Sequence, residues 1–143
     1  MLTINEIVSE NQAAGKDPQG AYDDYIEIAN TSDSEIDLSG KYLTDSKKNP
    51  RKWKFPKGTK IVAGGRLVVW ADEDGKAKEG LHANFKLAKG GETIQLIDSD
   101  NAGNSILDEV NFAELGPDSA YRRLPDANGD FSKGAATPGA ANE

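Results

Sequence analysis

Few residues of this chain of 143 residues could carry out chemistry: it has a single histidine, His82, and no cysteine. The lack of cysteine excludes a disulfide framework, a thiolate metal site and a cysteine nucleophile. A catalytic triad needs a base placed beside a nucleophile and an orienting acid, and no nucleophile-elbow motif supplies the serine. We therefore interpret His82 as an ordinary histidine of a strand or loop and predict that the protein is not an enzyme.

Neighbouring carboxylates are the second feature that could support catalysis. Asp23 precedes Asp24, and Asp72, Glu73 and Asp74 form an acidic run. Two carboxylates that flank a glycosidic bond can hydrolyse it. Both groups fall in acidic segments typical of turns, however, and this context favours a solvated surface over an active site.

The segment from Asp98 to Gly103 resembles the start of a calcium-binding loop. Asp98, Asp100 and Glu109 occupy positions one, three and twelve of such a loop, and Gly103 occupies position six. Ala102 at position five and predicted strands on both sides favour a hairpin turn instead. Calcium is the only cofactor that the sequence suggests, and a calcium-stabilised structural domain remains an alternative.

The basic residues are concentrated in one segment, which we call the basic face. Its members are Lys47, Lys48, Arg51, Lys52, Lys54, Lys57 and Lys60. These seven of the 17 basic residues lie within 14 positions free of acids, although the net charge is −7. With Trp53 and Phe55 between them, they could bind an anionic glycan or a nucleic acid. Alternatively, the lysines of a strand point outward and prevent edge-to-edge pairing while the aromatic rings fill the core, and the alternation favours this interpretation.

Short apolar segments separated by turn residues every 8–12 positions predict an all-β fold of about eight to ten short, mainly antiparallel strands. Asp24–Asn30 alternates with Ile26 and Ile28 on one side, which is typical of a half-buried antiparallel strand. We expect Arg51–Asp74 to form the central hairpin, with a turn at Gly64 and Gly65. This pattern of strands and turns is typical of a β-sandwich or a barrel.

The length predicts a single domain over residues 1–143, with residues 132–143 as an irregular C-terminal tail rich in alanine and glycine. No stretch approaches the roughly 18 apolar residues that a membrane-spanning helix needs. The excess of acids disfavours nucleic acid and anionic membranes as general partners.

The order of short sequence motifs resembles the lamin tail domain in its bacterial form. The matching segments are Ile4–Ile7, Tyr25–Asn30, Ile36–Gly40, Tyr42–Asp45, Trp53–Pro56, Ile61–Gly65, Leu67–Ala71, His82–Leu87, Gly91–Thr93, Asp108–Val110, Ser119–Pro125 and Thr137–Asn142. They cover nearly the whole chain in the order of the family.

This resemblance implies an immunoglobulin-like β-sandwich that tethers or recognises and does not catalyse. It implies a module of a larger secreted or cell-surface bacterial protein, excised with Met1 added, rather than a cytoplasmic protein. We expect an extracellular monomer whose partner is a protein or a polysaccharide. The alternative is a ligand-binding module that uses the basic face.

Overall fold

The computed structural model describes residues 1–73 and 79–143, which form twelve β-strands and one short 3-10 helix. In chain order the strands are β1 (Leu2–Val8), β2 (Asp24–Asn30), β3 (Ile36–Asp37), β4 (Tyr42–Thr44), β5 (Trp53–Lys54), β6 (Lys60–Ile61), β7 (Arg66–Ala71), β8 (Leu81–Ala83), β9 (Gly91–Ile97), β10 (Ile106–Ala113), β11 (Ser119–Leu124) and β12 (Asp130–Ala135). The described strands outnumber the expected eight to ten, and three of them, β3, β5 and β6, contain only two residues. The described residues contain no helix long and apolar enough to cross a membrane.

The strands form two main sheets and a small pair. The larger sheet has the order β12-β11-β1-β2-β7-β8, the second has the order β10-β9-β4-β5, and β3 pairs with β6. The named strands pair in antiparallel fashion, except that β7 and β8 run parallel. Antiparallel pairing fits a chain whose connections are mostly short turns.

One hydrophobic core lies between the two main sheets. Ile26 and Ile28 of β2 contribute to it from the larger sheet, and Ile94 and Leu96 of β9 contribute from the second. All four side chains are fully buried. The all-β sandwich and the inward side of β2 are therefore confirmed.

A β-bulge in β1 decides which of its residues enter this core. Ile4 pairs with Ile28 and Glu6 with Glu27, so Asn5 is an extra residue in β1. A bulge shifts the side-chain alternation by one position. Ile4 and Ile7, three residues apart, are consequently both buried in the core.

The predicted central hairpin of Arg51–Asp74 is wrong, because its strands lie in different sheets. β5 is an edge strand of the second sheet, β6 pairs with β3, and β7 lies between β2 and β8. A local apolar pattern shows that a segment is a strand but does not specify its partner. Asp74, the last residue of that segment, lies outside the described residues.

The C-terminal residues are more ordered than expected. Residues 132–135 belong to β12 and extend the larger sheet, so the irregular part begins at residue 136. That part lies against the outer side of the larger sheet, where Ala136 packs on the buried cluster that includes Tyr25 and Trp70. Strand β2 is therefore buried on both sides and not half-buried as predicted.

Candidate functional site

The basic face surrounds the free edge of the second sheet: Lys54 lies on the edge strand β5, Lys60 lies on β6 of the small pair, and the other members lie outside the strands. Trp53 and Phe55 are buried in the core with their rings 4.8 Å apart in an edge-to-face arrangement, whereas Lys54 between them is exposed. The alternation expected from the sequence is therefore present. Lysines on a two-residue edge strand also protect that edge from pairing with another chain.

Three members of the basic face form ion pairs with acids. Arg51 lies 3.0 Å from Asp100, Lys52 lies 2.6 Å from Asp45, and Lys60 lies 3.8 Å from Glu35. Within residues 1–73 and 79–143, the other four form no ion pair; these are Lys47, Lys48, Lys54 and Lys57. All four are exposed, so their charges are available to a ligand.

Two shallow grooves meet at Lys54. One has a volume of about 460 Å³ and is lined by Ser39, Gly40, Lys54, Phe55, Pro56 and Lys57. The other has a volume of about 280 Å³ and is lined by Ser39, Gly40, Lys54, Ser99, Asp100 and Asn101. The structure thus brings two exposed ammonium groups, Lys54 and Lys57, to one open groove.

The three carboxylates of the predicted calcium loop have other partners. Asp98 accepts a hydrogen bond from Lys41 Nζ at 2.7 Å, and this bond lowers the pKa of Asp98. Asp100 accepts hydrogen bonds from Asn104 and Tyr42, and Glu109 accepts one from Gln95 at 2.6 Å. The loop between β9 and β10 is a hairpin connection that contains the 3-10 helix. Calcium binding at these residues stays a prediction.

Strand pairing assembles a different group of ligand-type side chains, which we call the carboxylate–histidine cluster: Asp17, Asp23, Asp72 and His82. Asp24 pairs with Ala71 across the antiparallel strands β2 and β7, so Asp23 and Asp72 lie at the same end of the sheet. His82 pairs with Trp70 across the parallel strands β7 and β8. Each of the four residues offers a ligand atom, and these atoms lie within 4.8 Å of one another.

Burial and close carboxylates shape the chemistry of this cluster. Burial, together with the neighbouring carboxyl groups of Asp17 and Asp72, raises the pKa of Asp23 to about 7. Burial alone would raise the pKa of Asp17, but hydrogen bonds from Asp23 and from the backbone lower it overall. Burial opposes the charged form of His82, but the hydrogen bond to Asp72 raises its pKa.

Sequence reasoning treated these four residues separately and so missed the cluster. The sequence pattern favoured a solvated surface for Asp23 and Asp72 and an ordinary strand or loop position for His82. In the structure His82 and Asp17 are buried, and His82 Nδ1 lies 2.6 Å from Asp72 Oδ2. The available signal was positional: Asp23 precedes one long strand and Asp72 follows another, which brings them together only if the two strands pair.

Two facing, mainly antiparallel sheets around one core define an immunoglobulin-like β-sandwich. The family model of the lamin tail domain matches residues 1–113, and the chain therefore belongs to the lamin tail domain family. Members of this family are immunoglobulin-like modules that are generally non-catalytic. Strands β11 and β12 follow the matched region, yet they pair into the same sheet as β1. A comparison with curated proteins found no match.

Proposed function

We propose that the protein is a non-catalytic tethering module of a larger secreted or cell-surface bacterial protein, and that its basic face binds an anionic polysaccharide. The observation that carries this proposal is the groove lined by Lys54 and Lys57, neither of which forms an ion pair among the described residues. Their charge opposes the net charge of −7. A local excess of one charge concentrates ligands of the opposite sign.

The chemistry of the groove favours a polysaccharide over a single-stranded nucleic acid. Proteins that bind single strands stack bases on exposed aromatic rings. Trp53, Phe55, Tyr42 and Phe85 lie beside residues of the basic face, and all four are buried. The accessible groups are ammonium groups, the edge of Pro56, polar side chains such as Ser99 and Asn101, and the Asp100 carboxylate, whose charge Arg51 offsets in an ion pair. These groups suit carboxylate or sulfate groups and sugar hydroxyls.

The proposal is tested by affinity electrophoresis and calorimetry with heparin and polygalacturonate, at about 50 mM and 200 mM salt. Dextran serves as the neutral polymer and an oligodeoxythymidylate as the nucleic acid. We expect both anionic polysaccharides to bind more weakly at the higher salt, and dextran not to bind. Tighter binding of the oligodeoxythymidylate would favour a nucleic-acid module instead.

Charge reversal locates the binding surface. The variant Lys54→Glu/Lys57→Glu should lose at least about tenfold in affinity, because both ammonium groups line the groove. The control Lys89→Glu/Lys133→Glu changes the net charge equally at exposed positions outside that groove. The idea is wrong if the wild-type domain shows no binding at low salt, or if both variants lose affinity equally.

A further inference from the structure

We propose that the carboxylate–histidine cluster is a binding site for a divalent transition-metal ion, with Zn²⁺ as the best-fitting ion. Three carboxylate oxygens and one imidazole nitrogen converge from Asp17, Asp23, Asp72 and His82, with the ligand atoms within 4.8 Å of one another. Four oxygen and nitrogen ligands match the tetrahedral coordination that Zn²⁺ adopts in proteins. The site shares no residue with the basic face, and the proposal is independent of polysaccharide binding.

An unsatisfied carboxylate oxygen points to a ligand independently of the clustering. Asp23 Oδ2 is buried and, within residues 1–73 and 79–143, no N–H or hydroxyl group donates to it; its polar neighbours are the carboxyl groups of Asp17 and Asp72. A buried polar atom without a partner costs free energy, so native proteins rarely leave one unpaired. A cation bound between the carboxylates would satisfy this oxygen and would also offset the repulsion among the three acids.

The orientation of His82 matches that of a metal ligand. Its Nε2 lies 2.9 Å from the carbonyl oxygen of Glu79, which can only accept, and Nε2 therefore carries the hydrogen. Its Nδ1 lies 2.6 Å from Asp72 Oδ2, a hydrogen-bond distance, so a bound ion would replace the proton between these two atoms and move them apart. Metal-binding histidines commonly donate one ring N–H to a carbonyl while the other nitrogen points at the ion. The backbone of Glu79 therefore fixes the ring with Nδ1 directed into the cluster.

The cluster is accessible from solvent. Asp23 and Asp72 line an open groove of about 340 Å³ whose other lining residues are Tyr22, Asp24, Ala71, Lys86 and Lys89. Asp17 and His82 lie deeper, with 7% and 5% of their surface exposed. An ion can therefore enter past two partly exposed carboxylates and reach two buried ligands.

The identity of the ligands selects the class of ion. Imidazole suits Zn²⁺ and other first-row transition metals, whereas Ca²⁺ prefers six to eight oxygen ligands. Mg²⁺ demands near-octahedral oxygen coordination and keeps several waters. We therefore expect Zn²⁺ to bind more tightly than Mn²⁺, and Ca²⁺ or Mg²⁺ not to engage His82.

The test uses the full chain without a histidine tag and exploits His82 as its only histidine. After treatment with EDTA, the ¹⁵N resonances of the single imidazole are recorded while Zn²⁺, Mn²⁺, Ca²⁺ or Mg²⁺ is added. We expect one equivalent of Zn²⁺ to shift the Nδ1 resonance and to raise the Tm by at least about 3 °C, both reversed by EDTA. Mn²⁺ should broaden the same resonances.

Matched variants distinguish this site from other acids. Asp23→Asn should weaken Zn²⁺ binding at least about tenfold, whereas Asp33→Asn, an exposed acid outside the cluster, should leave it unchanged. The wild-type measurement stands even if Asp23→Asn fails to fold. The proposal is overturned if the His82 resonances do not respond to Zn²⁺. A Tm that rises with Ca²⁺ alone would also overturn it.

Discussion

Glu6 on β1 and Glu27 on β2 are paired directly across the two central strands of the larger sheet, and neither is exposed to solvent. Thr137 donates hydrogen bonds to Glu6 from its backbone N–H and its hydroxyl, and Gly139 donates its N–H to Glu27 at 2.8 Å. Tyr25 also donates to Glu6. The C-terminal segment thus supplies donors to two buried acids in the middle of the sheet.

Burial raises the pKa of Glu27 from 4.5 to about 7, and this makes stability depend on pH. Between these values the folded protein holds a proton that the unfolded chain has lost. The free energy of unfolding should therefore fall as the pH rises from about 4.5 to about 7, by up to about 3 kcal/mol from this group. Glu27→Gln cannot ionise and should not show this loss.

Urea denaturation of both proteins at several pH values measures the effect. As the pH rises to about 7, the free energy of unfolding of Glu27→Gln should increase relative to that of the wild type. The amide of the variant changes the free energy of unfolding by an amount that does not depend on pH. The contributions of the other titrating groups are common to both proteins and cancel in the difference. A difference that is constant between pH 4.5 and pH 8 would contradict a raised pKa for Glu27.

The hydroxyl of Thr137 should contribute to stability through Glu6. Thr137 Oγ1 lies 2.7 Å from Glu6 Oε1, and valine keeps the shape of the side chain without its donor. We expect Thr137→Val to lower the free energy of unfolding by roughly 1–3 kcal/mol, the cost of leaving a buried acceptor without its donor. In the control, Thr59→Val, the lost hydroxyl donates to the nearby carbonyl of Pro56 and to no other described residue. Equal losses in the two variants would show that the contact with Glu6 has no special role.

The residues of β2 show what the sequence could predict. The alternation places Ile26 and Ile28 toward the core because strand side chains alternate regardless of which partner the strand has. The same rule failed to predict that Glu27 is buried, because its cover comes from residues more than 100 positions away. It also failed at β1, where the extra residue Asn5 shifts the alternation between Ile4 and Ile7.

The two candidate sites also differ in how much of each could be predicted from the sequence. The basic face is continuous in sequence, so its charge and its alternation with Trp53 and Phe55 could be predicted directly. The carboxylate–histidine cluster depends on the pairing of β2 with β7, although four strands lie between these two in the chain. Composition and local periodicity contain no information on that pairing. Only the assembled sheet brings these residues together.

The alternation of buried and exposed residues in the basic face predicts very different effects on stability for substitutions at two adjacent residues. Phe55 is 1% exposed and packs against Trp53, so Phe55→Ala should cost about 3–5 kcal/mol of unfolding free energy through lost contacts and a cavity. Lys54 is exposed, and Lys54→Ala should change it by no more than about 0.5 kcal/mol. Thermal or urea denaturation compares them. A large loss in Lys54→Ala would contradict the assignment of Lys54 to the surface.

Two adjacent glycines at the start of β9, Gly90 and Gly91, should differ strongly in how much an alanine substitution changes stability. Gly91 has a φ of 102°, and a Cβ atom there would lie 2.2 Å from the carbonyl oxygen of Phe112 on β10. Because backbone on both strands would have to move, Gly91→Ala should destabilise the protein by at least about 2 kcal/mol. Nothing lies within 4 Å of a Cβ atom at Gly90, so Gly90→Ala should be close to neutral or slightly stabilising. Urea denaturation measures both, and a Gly91→Ala variant as stable as Gly90→Ala would show that β9 and β10 approach less closely at this pair than the structure indicates.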